Sequence, residues 1–151
     1  MKKYRIYMDV CCLNRPFDDL SQNRIYLETE AILAIVSRCE RGEWVLVSSG
    51  VIEYELSNMQ DDERLRNVQT LLEIAHERIN LTQQAEKLAA EFMHNGMKSF
   101  DSFHLALAET NGLDVFLTTD DRLLKAAAKT DLHITVSNPV TWIMEVEKNE
   151  Q

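Results

Sequence analysis

A length of 151 residues fits one domain and leaves little room for two. Hydrophobic residues make up 45 %, with four Gly and two Pro, which excludes collagen-like, linker-like and low-complexity classes. Sixteen Lys and Arg stand against 25 Asp and Glu, a net charge of −9 that excludes a generic basic nucleic-acid coat but allows an acidic site whose charge a bound cation offsets.

Lys2 and Lys3 precede an apolar stretch that Arg5 and Asp9 interrupt, so no signal peptide is expected. No apolar run approaches the ~20 residues of a membrane span. Of the three cysteines, Cys11 and Cys12 are adjacent and Cys39 stands apart. That is neither a disulfide framework nor a C-x-x-C zinc spacing, and it predicts free thiols in a cytoplasmic protein.

Tyr4 to Val10, YRIYMDV, reads as a short buried strand ending at an acid, and Cys11 to Asn23 as a loop. Ile25 to Cys39 places Ala31, Ile32, Ile35, Val36 and Cys39 on one helical face, with Gly42 as a stop. Trp44 to Val47, WVLV, reads as a strand that Ser48-Ser49-Gly50 breaks. Val51 to Met59 reads as a short helix. Asp61 to Arg78 reads as another, striped by Leu65, Val68, Leu72 and Ala75. A brief strand over Arg78–Thr82 is followed by helices over Gln83–His94 and Lys98–Asn111, each stopped by a Gly. Asp114 to Leu117, DVFL, is a short apolar strand, Thr118 to Lys129 opens with cap residues into a helix, and His133–Val136 is a last strand. Asn138-Pro139 is an N-cap followed by Pro at the first helical position, opening a helix through Glu147.

Strands that alternate with helices, each a short apolar run, predict an α/β domain over residues 1–151 with a central parallel sheet covered on both faces. Ligands in such folds bind outside the carboxyl ends of the strands. Asp9 follows the first strand, Glu53 and Glu55 follow the second, and Thr118, Thr119, Asp120 and Asp121 follow DVFL. Asp101 lies in the first turn of the helix that feeds the DVFL strand. Gathered carboxylates raise one another's pKa unless a cation is present. Mg²⁺ takes oxygen ligands, keeps several waters and bridges to substrate phosphates. Glu53 and Glu55 lie two apart on a helix, roughly 200° apart in direction, so only one faces the site. Asp121 reads as a solvated first-turn acid, and Asp61, Asp62 and Glu63 as a dipole-complementing helix start. His104 shares a helix face with Asp101, and in FHLALA it reads first as a packed, hydrogen-bonded histidine. Arg15, Lys98 and Arg122 lie near the acids and are candidates to hold phosphate. The chain has no Gly-rich phosphate loop and no G-x-S-x-G nucleophile pattern.

The segments MDVCCLN around Asp9, SSGVIEYEL around Glu55, DSFHLALAE from Asp101 and FLTTDDRLL around Asp120 stand in an order and at spacings that resemble PIN-domain proteins, and among them the VapC-type toxin ribonucleases of toxin–antitoxin operons. The resemblance covers essentially the whole chain. It implies a Mg²⁺- or Mn²⁺-dependent endoribonuclease with Asp9, Glu55, Asp101 and Asp120 as catalytic and metal-holding residues, and with Thr118 positioning a water or a carboxylate. It also implies an RNA substrate, a protein antitoxin and a homodimer. Cys11 and Cys12 stand where the family often has Thr or Ser, with Asn14 a polar substitute nearby. Two alternatives are a PIN-like module that binds a partner without cutting, and a receiver-type phosphoacceptor domain.

Overall fold

The computed structural model describes residues 2–151. Strands Arg5–Met8 (β1), Val45–Ser49 (β2), Glu77–Ile79 (β3), Val115–Leu117 (β4) and Thr135–Ser137 (β5) form one sheet in the order β3-β2-β1-β4-β5, with every pair parallel. Successive residues of a strand point to opposite faces. Ile6, Tyr7 and Met8 of β1 and Val115, Phe116 and Leu117 of β4 are all fully buried, so the central strands are covered on both faces as the apolar runs predict. The order differs from the 2-1-3-4-5 arrangement of receiver-type folds, which removes that alternative.

The helices are Val10–Asn14 (α1), Asn23–Glu40 (α2), Gly50–Ser57 (α3), Asp62–Leu72 (α4), Gln83–His94 (α5), Ser99–Thr110 (α6), Asp121–Ala128 (α7) and Pro139–Glu150 (α8). Their starts follow the cap residues. Ser49 Oγ accepts from Ile52 N, Asp61 from Arg64 N, Thr82 from Ala85 N and Asn138 from Val140 N, each satisfying an amide the helix leaves open.

The strand expected over Arg78–Thr82 lies at Glu77–Ile79, and three further boundaries that differ from expectation have a visible cause. The expected loop from Cys11 to Asn23 holds α1 and a 3-10 turn at Arg15–Phe17, because the Asp9 carboxylate accepts from Cys12 N at 3.0 Å and starts a helix directly off β1. The expected helix over Asp61–Arg78 stops at Leu72. Ile74 N and Ala75 N turn back to Leu71 O and Leu72 O in tight i→i+3 bonds, and Glu77–Ile79 then pairs with β2. The last strand begins at Thr135 rather than His133, because the Glu109 carboxylate accepts from His133 N and Ile134 N and takes both amides away from the sheet.

At the amino-terminal edge of the sheet Tyr4, Trp44 and Trp142 pack edge to face, with centroids 5.2–5.7 Å apart, and the Arg38 guanidinium lies 3.8 Å from the Trp44 ring centre. On the flank, Glu28 is buried and paired with Arg15 and Arg24, and Asn138 Nδ2 donates to it at 2.6 Å. Arg24 continues to Asp121 in a two-point pair, so α2, α7 and α8 are tied by one charge network.

Candidate active site

The chain runs from β1 outward to β2 on one side, and β4 lies against β1 on the other, so the strand order switches direction between β1 and β4. In open α/β sheets ligands bind at such a switch point, outside the carboxyl ends of the two strands. Asp9 and the segment Thr118–Asp120 are the residues that leave β1 and β4 there, stitched together by Asp9 N donating to Leu117 O at 3.2 Å.

Asp9 is 3 % exposed. Burial pushes its carboxyl up to about 6, against the lowering effect of hydrogen bonds from Thr118 and the Cys12 amide. Thr118 is itself buried, and its Oγ1 accepts from Asp120 N at 3.1 Å, so one hydroxyl ties two acids together. Asp120 caps α7 through Arg122 N at 2.9 Å. Cap and site are therefore not exclusive readings at Asp9 or Asp120. Each carboxylate uses one oxygen on a backbone amide, which fixes its direction.

Asp101, half-buried in the first turn of α6, is held above the ordinary carboxylate range, first by desolvation, then by the Asp120 charge and, further down, by Glu55. The Cys11 thiol is pushed up to about 12 by partial desolvation and by the charges of Asp9, Asp120, Asp101 and Glu55. The charges of all four acids named from the sequence thus reach one thiol, Asp101 acts on Asp9, and Asp120 and Glu55 act on Asp101, as α1, α3, α6 and α7 bring them to a common region. None has a Lys or Arg ion pair among the described residues. Cys11, Cys12 and Cys39 are free thiols.

Glu53 and Glu55 part as their spacing requires. Glu53 makes a two-point pair with Arg78, at 2.7 Å to both Nε and Nη2, on the exposed side of α3. Glu55 turns inward, and its Oε1 lies 2.7 Å from His104 Nε2. His104 is 1 % exposed, and its Nδ1 lies 2.5 Å from Tyr7 Oη, which in turn is 2.8 Å from Ser49 Oγ. The partners assign a direction. Ser49 Oγ–H donates to Tyr7 Oη, Tyr7 Oη–H donates to His104 Nδ1, and His104 Nε2–H donates to Glu55. Every member is satisfied, and burial keeps the Tyr7 hydroxyl protonated well above its ordinary range. His104 is the packed histidine its sequence context predicts, and in addition it holds Glu55. Tyr7 and Ser49 escaped the sequence reading, because a Tyr in a buried strand and a Ser before a helix carry no mark of partners 97 and 42 residues away.

The three basic candidates divide. Arg15 is tied to Asp18 and Glu28. Arg122 lines a separate cavity with Lys125 and Lys129. Lys98 is exposed, and its charge acts on Asp101.

All four donors are hard carboxylate oxygens. Among the described residues no three acid, imidazole or thiol groups already form a closed ligating cluster. That donor set fits an ion held by one or two carboxylates and several waters, the habit of Mg²⁺, rather than an all-protein cage.

A parallel α/β fold with acids free of Lys and Arg ion pairs at its switch point defines a class of α/β domains with an acidic site at the carboxyl end of the sheet. The family model for the PIN domain matches residues 20–129, and the chain belongs to that family. Glu55, Asp101 and Asp120 fall inside the matched segment and Asp9 before it. No curated protein matches the chain in sequence. Among solved structures, VapBC2 from Rickettsia felis, bound to a DNA fragment from its promoter, superposes with a TM-score of 0.56 at 12 % identity, over 88 % of this chain and 98 % of that one. VapBC-1 from nontypeable Haemophilus influenzae gives 0.54 at 12 % identity, over 89 % and 98 %. PAE2754 from Pyrobaculum aerophilum gives 0.54 at 17 % identity, over 98 % and 91 %. These likenesses are of fold. Among the described residues no helix is long and apolar enough to cross a membrane.

Proposed function

We propose that the protein is a divalent-metal-dependent endoribonuclease, the toxin of a toxin–antitoxin pair acting in the cytoplasm. One observation supports this reading: Asp9, Glu55, Asp101 and Asp120 stand at the carboxyl end of the sheet with no Lys or Arg ion pair, and burial and neighbouring carboxylate charge hold Asp9 and Asp101 above their ordinary range. Such a cluster is poised for a cation. Asp9, Glu55, Asp101 and Asp120 would hold Mg²⁺ or Mn²⁺, directly or through water. A hard divalent cation supplies charge neutralisation, polarisation of a phosphate oxygen and a lowered pKa for water at the site. The chain's own residues do the positioning. The backbone amides of Cys12 and Arg122 fix Asp9 and Asp120, and Thr118 links them. His104, braced by Tyr7, fixes the direction of Glu55. Asp101, less constrained by bonds, carries the adjustable charge.

The VapBC assemblies among the structural relatives support a protein antitoxin as partner. Tyr26, Leu27 and Leu33 are exposed along α2 and support a homodimer. Light scattering at tens of micromolar tests the dimer, and a monomer there counts against it. The activity is tested with purified protein and single-stranded RNA. Cleavage in Mg²⁺ or Mn²⁺, its loss in EDTA and its recovery on adding metal back are the expected outcomes. EDTA-resistant cleavage would point to a contaminant or a different chemistry.

A further inference from the structure

Beside the acids lies a feature that the catalytic reading does not use. A cavity of about 480 Å³ is lined by Tyr54, Leu81, Phe100, Phe103, Asn80 and Ser99. Tyr54 is 64 % exposed, although it is a large aromatic residue. Its ring centre lies 6.1 Å from that of Phe100, with the planes tilted by 40°. Phe100 in turn lies 6.4 Å from the His104 ring. Tyr54 immediately precedes Glu55 on α3, and Phe100 immediately precedes Asp101 on α6. The exposed Tyr54 ring and the half-buried Phe100 ring therefore stand beside the acids, on the two helices that supply Glu55 and Asp101.

We propose that Tyr54 and Phe100 form a stacking site for one unpaired nucleobase of the RNA strand cut at the neighbouring acids. The proposal rests on the nuclease reading. Three observations favour a base over an apolar peptide side chain. The rings open as a tilted wedge rather than a packed pair, and a flat aromatic face matches them. The rim is polar: the Asn80 oxygen accepts from Arg78 at 2.6 Å, so its amide N–H groups remain for a base edge, and Ser99 adds a hydroxyl. The third observation is charge. With a net charge of −9 the protein cannot draw its affinity for a polyanion from phosphate neutralisation across its surface. Stacking is the main source of affinity for single strands that is independent of charge, and it tolerates every base. Lys98, one residue before the lining Ser99, is exposed and its charge acts on Asp101, while Arg78 on the rim is paired with Glu53. The substrate class follows. The base must be unstacked to enter, so the site takes single-stranded segments and loops rather than paired stems. Affinity that rests on stacking also depends only weakly on salt.

The test uses the full chain carrying Asp120→Asn in Mg²⁺, so that bound RNA stays intact, and a single-stranded RNA oligonucleotide with 2-aminopurine. The parent protein should quench the 2-aminopurine and bind with a shallow salt dependence. Adding Tyr54→Leu should abolish the quenching and weaken binding roughly tenfold, whereas Tyr54→Phe should keep both. Phe100→Leu should act in the same direction as Tyr54→Leu. Tyr54 is exposed, so its replacements leave the core intact. If Tyr54→Leu binds and quenches like the parent while the unmutated protein cuts the same RNA, the stacking site is overturned, the nuclease reading stands, and the cavity is left to a protein side chain. If the unmutated protein neither binds nor cuts any RNA, both fall.

Discussion

At the amino-terminal edge of the sheet, Arg38 stacks on Trp44 and pairs with Glu43 and Glu150, while Arg5 pairs with Glu77 and Lys2 with Asp114. At the carboxyl edge, Asp9, Asp101 and Asp120 have no basic partner among the described residues, and Glu55 has only a histidine. The same five strands thus end in matched charge on one side and in surplus negative charge on the other. A buried acid without a partner destabilises the fold, and an end built only for stability would pair or replace it. The amino-terminal edge is where the fold is held, and the carboxyl edge gives up stability for a site.

The widest separation of the two ends comes from Asp120→Asn. It should abolish metal-dependent RNA cleavage while circular dichroism and the melting temperature show an intact fold, since Asn still caps α7. Retained cleavage would reduce Asp120 to a helix cap. The opposite pattern belongs to Trp142→Ala at the other end. Removing a buried indole should cost about 3–5 kcal/mol and lower the melting temperature by roughly 10 °C, with turnover per folded molecule unchanged.

A smaller effect follows from the Asp9 carboxyl, which is pushed from 3.8 up to about 6 in the folded protein. Between those values the folded chain binds more protons than the unfolded one, so stability falls as pH rises through that window. The loss attributable to Asp9 is about 3 kcal/mol at most. Melting curves from pH 4 to 7 without metal should slope downward more in the wild type than in Asp9→Asn, and parallel curves would show that Asp9 ionises freely. The finest cut is between neighbours. Glu55→Gln should impair cleavage strongly, whereas Glu53→Gln loses only an exposed pair with Arg78 and should shift stability by no more than about 0.5 kcal/mol, with cleavage unchanged. The reverse result would exchange their roles.

How far each end is legible in sequence follows from the same contrast. Asp9 stands directly after one apolar run and Asp120 two threonines after another, so strand topology alone brings them together. Asp101 and His104 share a helix face by spacing. The contact of His104 with Glu55 needs α3 and α6 to meet, and nothing local encodes that. The boundary errors have the same cause. Leu72 and Ala75 keep a helical stripe, yet the pairing of Glu77 with Val47 overrides it. His133 and Ile134 read as strand until Glu109, 24 residues earlier, takes their amides. The charge pairs of the amino-terminal edge, such as Arg5 with Glu77 and Arg38 with Glu150, span 72 and 112 residues and leave no signal in a single sequence.

The most direct measurement of the exchange of stability for a cation site is calorimetry of the wild type and Asp101→Asn, each in EDTA and in Mn²⁺. An ion that binds only the folded state at 100 times its Kd adds about 2.7 kcal/mol. The wild type should melt lower than Asp101→Asn in EDTA, because Asp101 is held above its ordinary range by desolvation and by Asp120, and it should gain more from Mn²⁺ than the variant does. An Asp101→Asn protein that melts slightly lower than the wild type in EDTA, with the same Mn²⁺ increment, would contradict the account and leave Asp101 as a helix-dipole acid.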